Sequence, residues 1–114
     1  MDKKQATKLP LSIYMITFNN SATVARALES IAGWADEVLV VDSHSPDGTA
    51  GIAAKYADHV LHLDTTSQPE KYQFAQDHCR NAWVMFIDAD EWLTESFKRE
   101  AEEEQNKVVS LQQE

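Results

Sequence analysis

The chain predicts an α/β fold built on a parallel sheet, and three observations carry that prediction. Apolar runs end in acids: Trp83-Val84-Met85-Phe86-Ile87 stops at Asp88 and Asp90, and Val38-Leu39-Val40-Val41 stops at Asp42. Runs without polar alternation are the pattern of strands buried on both faces. Such runs alternate with segments of helical spacing, the pattern of strand–helix–strand units with right-handed crossovers. The connections between them are rich in Ser, Pro, Asp, Asn and Gly, residues whose backbone and side chains favour turns.

Residues 1–10 form a polar leader containing Lys3, Lys4 and Lys8. A first strand is expected over 11–18, rich in Ile and aromatic residues. Asn19-Asn20-Ser21 makes a loop, with Ser21 placed to cap a helix. Val24, Ala27, Leu28 and Ile31 then recur at helical spacing and Gly33 stops the helix. The second strand covers 37–42. The turn 43–48 follows, in which Asp47 caps a short helix over 49–56 and Gly48 eases the bend. A third strand is expected over 58–63, a loop over 65–69, and a third helix over 70–79 with Tyr72 or Gln73, Phe74 and Ala75 toward the core. The fourth strand covers 83–88. From Thr94 the residues are helix formers, giving one helix to about Leu111. Its imperfect apolar stripe is Leu93, Phe97, Ala101, Val108 and Leu111, and its i,i+4 pairs are Glu95–Arg99 and Glu103–Lys107. The stripe leaves self-association through this helix open.

With 114 residues, 43% hydrophobic and 25% charged, the chain is ordinary globular material of one domain. A formal net charge of −9 repels phosphate backbones and argues against nucleic acid as a partner. Cys79 is the single cysteine, so no internal disulfide forms, which fits a reducing compartment. The run 11–18 is broken by Ser12 and Thr17 and lacks a cleavage site, so no signal peptide is expected. No stretch has the roughly 18 apolar residues of a membrane span. A cytoplasmic protein is expected, with docking on the inner membrane face left open.

Open α/β sheets bind ligands beyond the carboxyl ends of their strands. That edge receives Thr17 and Asn19 from the first strand, Asp42 from the second, and Asp88 and Asp90 from the fourth. Residues i and i+2 of an extended chain share a side, so Asp88 and Asp90 face one site. Two close carboxylates need a cation or donors to offset their repulsion. An oxygen-rich pair selects a hard cation, Mg2+ or Mn2+, which also holds phosphate oxygens.

Ordered along the chain, these pieces resemble a family of enzymes. The residues 13–19 (apolar strand, Thr, aromatic, Asn), Ala27-Leu28-Glu29-Ser30, Trp34-Ala35-Asp36-Glu37, Asp42-Ser43-x-Ser45-x-Asp47-Gly48-Thr49 and 83–91 are similar to the N-terminal half of inverting family 2 glycosyltransferases of the GT-A fold. Within that family the chain most resembles bacterial β-glucosyltransferases of lipopolysaccharide core assembly. The resemblance runs from about Leu11 to Thr94. It implies a Rossmann-like three-layer α/β/α domain over 11–93 that binds a nucleotide sugar, with sheet order 3-2-1-4, followed by an acidic helix over 94–114. It implies that Thr17 and Asn19 line the nucleotide pocket and that Asp42 meets the base of a UDP-sugar. Asp47 supports that pocket or only caps its helix. Asp88 contacts the ribose or the metal, and Asp90 binds the divalent cation. Sugar passes to a glycan or lipid-linked acceptor with inversion. The catalytic base is not among these residues, because family members carry it in a part beyond the DxD motif. His44 and Pro46 stand where the family favours small or hydroxyl residues.

Two other readings compete. A non-catalytic nucleotide-sugar-binding module accounts for the few residues after Asp90. A HAD-type phosphatase also sets Asp-x-Asp after an apolar strand, but there Thr or Val follows the second Asp by two, where this chain has Trp92. Asp88 and Asp90 as a solvated acidic loop, or Asp42 as a turn residue, are the bland alternatives. Glu91 is a minor candidate for a further metal ligand. His59 and His62 lie on opposite faces of a strand and make poor joint ligands. Cys79 is expected in the core, and Trp34, Trp83 and Trp92 are expected as packing anchors.

Overall fold

The structure, a computed structural model, describes residues 8–113, with the side chains of the last helix described as far as Gln105. The leader upstream of Lys8 lies outside the described residues, and the pairing of Glu103 with Lys107 and the stripe positions Val108 and Leu111 lie outside the described side chains. The elements follow in the order β1 (Leu9–Thr17), α1 (Val24–Glu29), β2 (Ala35–Asp42), α2 (Thr49–Ala53), β3 (His59–His62), α3 (Gln68–His78), β4 (Trp83–Phe86) and α4 (Glu95–Gln113). The four strands form one sheet in the order β3-β2-β1-β4, every pair parallel. This is the expected topology. The chain runs outward from β1 through β2 to β3, and β4 then returns to the free side of β1; parallel strands joined this way take right-handed crossovers as a rule.

Alternate residues of the central strands feed two cores. Ile13, Met15, Val38 and Val40 pack with Val24, Ala27, Leu28 and Ile31 of α1 and the turn after it, with Ala53 of α2, and with Ile87 and Ala89. On the other face Tyr14, Leu39 and Val41 meet Ala75, Tyr72 and Phe74 of α3. There Tyr14, Tyr72 and Phe86 form an aromatic cluster with ring centroids 5.1 to 6.2 Å apart, mostly edge to face. Gln76 donates to the Tyr14 hydroxyl at 2.9 Å.

Several boundaries differ from expectation, each for a local reason. Helix α1 begins at Val24 and not after Ser21, because the Asn20 carbonyl takes the amides of Thr23 and Val24 while the Ser21 amide turns to Asp47. Helix α3 begins two residues early: Ser67 accepts from the Glu70 amide and Pro69 sits in the first turn. Glu95 pairs with Lys98 at 3.2 Å, one residue short of the expected Arg99. Strand β4 is not buried on both faces. It is an outer strand paired only with β1, so Trp83 and Val84 are 38% and 39% exposed. Trp83 lines a shallow apolar groove with Leu9, Leu11, Met85 and Ala101. Of the tryptophans, Trp34 is the packing anchor expected, its indole N–H donating to Glu102 at 2.8 Å. No helix among the described residues is long and apolar enough to cross a membrane.

The amino-terminal ends of the strands are tied by a buried acid. Glu37, 2% exposed, accepts from the Ser12 hydroxyl at 2.7 Å and the Arg80 amide at 2.8 Å. Asn81 donates to Ser12 and to Asp36, and the Arg80 guanidinium to Asp36. The turn from α3 into β4 is thereby fixed to β1 and β2. Cys79 lies half-buried beside this cluster, where burial first and the charge of Glu37 second push its thiol pKa up. Removing the Glu37 side chain strands a buried hydroxyl and an amide. Glu37→Ala is expected to cost about 3 kcal/mol in urea denaturation, and Glu37→Gln, which keeps an acceptor, about 1 kcal/mol.

Candidate functional site

The carboxyl edge of the sheet is organised around Asp42. Pairing in register sets Thr17 beside Asp42 and Asp42 beside His62. The Asp42 carboxylate is 0% exposed, and an acid so placed needs converging donors. It has them: the Thr17 hydroxyl at 2.6 Å, the Ser45 hydroxyl at 2.7 Å and the Ser45 amide at 2.7 Å. His62 approaches to 3.9 Å and stacks on His44. Asp42, expected to meet a nucleotide base, thus has three donors of the protein itself on its carboxylate. Its oxygens are spent inside the protein and no face of it meets solvent. Thr17, expected to line the pocket, is 1% exposed and donates to Asp42.

The loop after β1 is fastened to the turn after β2. Four successive amides each donate to a side-chain oxygen: Phe18 to Asn20, Asn19 to Ser45, Asn20 to Thr49 and Ser21 to Asp47. Asn19 reaches this geometry through the left-handed region, at φ +58°, which Asn tolerates better than most residues. Asp47 also accepts from the Thr49 amide and hydroxyl, so it holds the start of α2 as expected, with Gly48 at φ +87° in the cap position. These hydrogen bonds, Thr49 foremost and Ser21 after it, lower the Asp47 pKa to about 2. Asp47 thus links two loops, and Asn19 is exposed at their rim.

A cavity of about 570 Å3 opens at this edge, lined by Phe18, Ser43, Asp64, Thr65, Thr66, Gln68 and Lys71. Two of its residues carry unspent polar atoms. Lys71 on α3 is 9% exposed, and its ammonium has no hydrogen-bond or ion-pair partner among the described residues. Ser43 Oγ is buried without a partner. Neither residue stands out in the sequence, since a lone Lys in a helix and a Ser in a turn read as surface. Only the spacing of Lys71 one turn after the Ser67 cap, at the helix end nearest the strand tips, marks it.

Asp88 and Asp90 lie just past β4 on the same edge, across the end of β1 from the cavity. Both are exposed. The segment turns tightly: the Glu91 amide donates to the Asp88 carbonyl at 3.0 Å, and the Asp88 amide to the Glu91 carboxylate at 3.1 Å. Partial burial first, then the charges of Glu91 and Asp90, raise the Asp88 pKa above the ordinary value. Glu91 faces back into this turn. Beyond it the Arg26 guanidinium sits 3.7 Å over the Trp92 ring, and the Leu93 amide donates to the Ser30 hydroxyl, so α1 anchors the chain that follows the acids. Among the described residues no three His, Cys, Asp or Glu side chains gather closely enough to hold a metal unaided. The arrangement suits an ion that takes one or two protein carboxylates and completes its shell with ligand oxygens and water.

Comparison with known proteins places this geometry. The model of glycosyl transferase family 2 matches residues 12–109. The chain belongs to glycosyl transferase family 2. Among its relatives in that family, a glycosyltransferase of Rickettsia conorii is 40% identical over 102 residues, covering 90% of this chain and 36% of that protein. The lipopolysaccharide core biosynthesis glycosyltransferase LpsC of Rhizobium meliloti is 35% identical over 96 residues, covering 80% of this chain and 35% of LpsC. The chain thus spans about a third of the curated relatives it matches. Mannosyl-3-phosphoglycerate synthase from Rubrobacter xylanophilus superposes with a TM-score of 0.64 at 30% identity, over 72% of this chain and 31% of that one. Glucosyl-3-phosphoglycerate synthase from Mycobacterium tuberculosis, solved with Mn2+ and UDP, shares the fold at 23% identity with a TM-score of 0.62, over 75% of this chain and 34% of that one.

The raised pKa of Asp88 has a testable sign. A carboxyl that binds its proton more tightly folded than unfolded loses stability as pH rises from its unfolded value through its folded one. Asp88→Asn lacks that loss. In thermal denaturation the variant is expected to melt above wild type at pH 7, with the gap closing below about pH 4.

Proposed function

We propose that this family 2 chain binds a UDP-sugar together with Mn2+ or Mg2+ for inverting transfer of the sugar, in the assembly of lipopolysaccharide or another cell-envelope polysaccharide. One observation carries the reading: on one sheet edge, a cavity lined by Lys71, whose stem is largely buried and which has no protein partner among the described residues, lies across β1 from two exposed carboxylates. The nucleoside end of the donor occupies the cavity and its diphosphate extends over the end of β1 toward Asp88 and Asp90. Lys71 donates to a donor oxygen that has lost its water. Phe18, 54% exposed at the cavity mouth, offers an apolar face. Asp47 and the four capped amides keep the loop walls from moving when the ligand enters.

Asp88 and Asp90 fit a divalent cation by donor chemistry, being hard oxygens free of lysine or arginine partners among the described residues. When bound, such an ion neutralises charge on a departing diphosphate. The raised affinity of Asp88 for a proton makes metal loading weaker toward acid pH, because the ion and the proton compete for one carboxylate.

None of these residues is assigned as the base that deprotonates an acceptor. Glu91 is turned to the Asp88 amide, Glu95 pairs with Lys98, and Asp64 lines the cavity on the nucleoside side. That observation favours a second reading for these residues taken alone, a donor-binding module without efficient transfer.

UDP at a hundredfold excess over its Kd is expected to stabilise the chain by about 2.7 kcal/mol in thermal shift, more with Mn2+ than without. Asp90→Asn should remove the metal-dependent part. Lys71→Met should weaken UDP binding roughly tenfold or more while leaving the melting temperature about unchanged, since it keeps the apolar stem that is buried. An Asp90→Asn variant with an undiminished metal response sinks the metal assignment, and full UDP affinity in Lys71→Met sinks the cavity assignment.

A further inference from the structure

Arg26 and Trp92 form a pair for which donor binding has no use. Arg26 is the third residue of α1, the helix that leaves the carboxyl edge of the sheet after β1. Trp92 stands two residues past Asp90. The Arg26 guanidinium carbon lies 3.7 Å from the centre of the Trp92 ring. A guanidinium over a ring face is held by its charge and its flat side, and it keeps its N–H donors for other partners. Among the described residues no hydrogen-bond acceptor or carboxylate takes those donors. Asp88, Asp90 and Glu91 stand just before Trp92, yet none of them pairs with Arg26. The neighbouring Lys98 is spent, on the Ser30 carbonyl at 2.9 Å and on Glu95 at 3.2 Å. Both members of the pair are exposed, Trp92 by 41%.

We propose that the Arg26–Trp92 pair receives an oxyanion on the acceptor saccharide, so that the acceptor is a sugar bearing a phosphate or a carboxylate. The inference rests on the donor-binding reading above. The cavity draws Gln68 and Lys71 from α3, which covers one face of the sheet, whereas α1 covers the other. A donor that runs from the cavity to Asp88 and Asp90 therefore leaves Arg26 and Trp92 uncovered. A guanidinium is planar and always charged, and it meets a phosphate or carboxylate with two parallel hydrogen bonds. Trp92 is a positioning residue. Its ring holds the arginine in place before the anion arrives, so less freedom is lost on binding. In a chain with a formal net charge of −9, an anionic sugar is repelled from most of the surface, and a cation with its donors free is where it settles.

NMR titration of the 114-residue chain, saturated with UDP and Mg2+, tests this with glucose 6-phosphate, glucuronate and glucose as probes. Saturation keeps the probes out of the cavity and off the metal. The Trp92 indole N–H signal is identified by its loss in Trp92→Phe, and the Arg26 Nε–H signal by its loss in Arg26→Gln. Both are expected to move with glucose 6-phosphate or glucuronate, while the indole signals of Trp34 and Trp83 stay and glucose moves none. The tighter of the two anions tells whether phosphate or carboxylate is the group received. Arg26→Gln, read from Trp92, should weaken that anion about tenfold or more, the loss of a charge-assisted pair. Trp92→Leu, read from Arg26, should weaken it about threefold, and Trp92→Phe, which keeps a ring under the charge, should restore most of the affinity. UDP should bind all three variants within about twofold of wild type, which also verifies that they fold. Anion binding that is unchanged in Arg26→Gln, or no anion binding with UDP in place, overturns the inference while donor binding stands. A tenfold loss of UDP affinity in Arg26→Gln gives the arginine to the donor and overturns it as well. Failure of UDP to bind the wild-type chain overturns the donor-binding reading and the acceptor role together.

Discussion

One carboxylate without access to solvent holds the ligand edge in shape. Asp42 sits at the end of the central strand β2, and its burial is tolerable only because three donors converge on it. Satisfying them bends the turn after β2 back over the strand ends. Ser45 is drawn in as a double donor, and its hydroxyl then accepts from the Asn19 amide. That contact starts the series of capped amides from Phe18 to Ser21, which ends on Asp47 and so at the start of α2. The two loops that bring Phe18 and Ser43 to the cavity are held by one buried acid and the hydrogen bonds it enforces.

Strand β2 uses the same device at its other end. Glu37 gathers Ser12, Arg80 and, at 3.6 Å, His59, and so fixes the turn that delivers β4. The two acids are five residues apart on the strand and serve opposite purposes. Glu37 locks the amino-terminal ends, where no cavity opens. Asp42 locks the carboxyl ends but leaves its neighbour Ser43 free. A rigid frame of paired acids around a few unpaired polar atoms is how a small domain keeps a site preorganised, since groups held by the protein need no reordering when a ligand arrives.

Charge is managed in the same local way. A chain with a formal net charge of −9 repels an anionic ligand overall, so recognition falls to groups placed at the edge. Lys71 is one, kept unpaired inside the cavity. Asp88 and Asp90 are the inverse case, two acids left exposed and mutually repelling, with the proton affinity of Asp88 raised as a result. Neither feature favours the stability of the free protein. On the proposed reading both become favourable when a cation and an anion arrive together.

The sequence by itself determined the fold class and the membership of strand ends in one edge, and its family resemblance supplied the sheet order. Uninterrupted apolar runs closed by acids, and the alternation of periods two and 3.6, are local properties that survive into any packing of the chain. It also marked Asp88 and Asp90, because two acids after an apolar strand have few structural uses. What it did not determine was which polar residues are spent and which are free. Asp42 and Thr17 read as ligand contacts, yet they satisfy each other. Ser43 and Lys71 read as surface, yet they line the cavity. The exposure of Trp83 and Val84 likewise depended on β4 lying outermost and not on its composition. Hydrogen-bond partnership and burial are decided between residues far apart in the chain, 25 positions for Thr17 and Asp42, and only the tertiary structure brings such partners together.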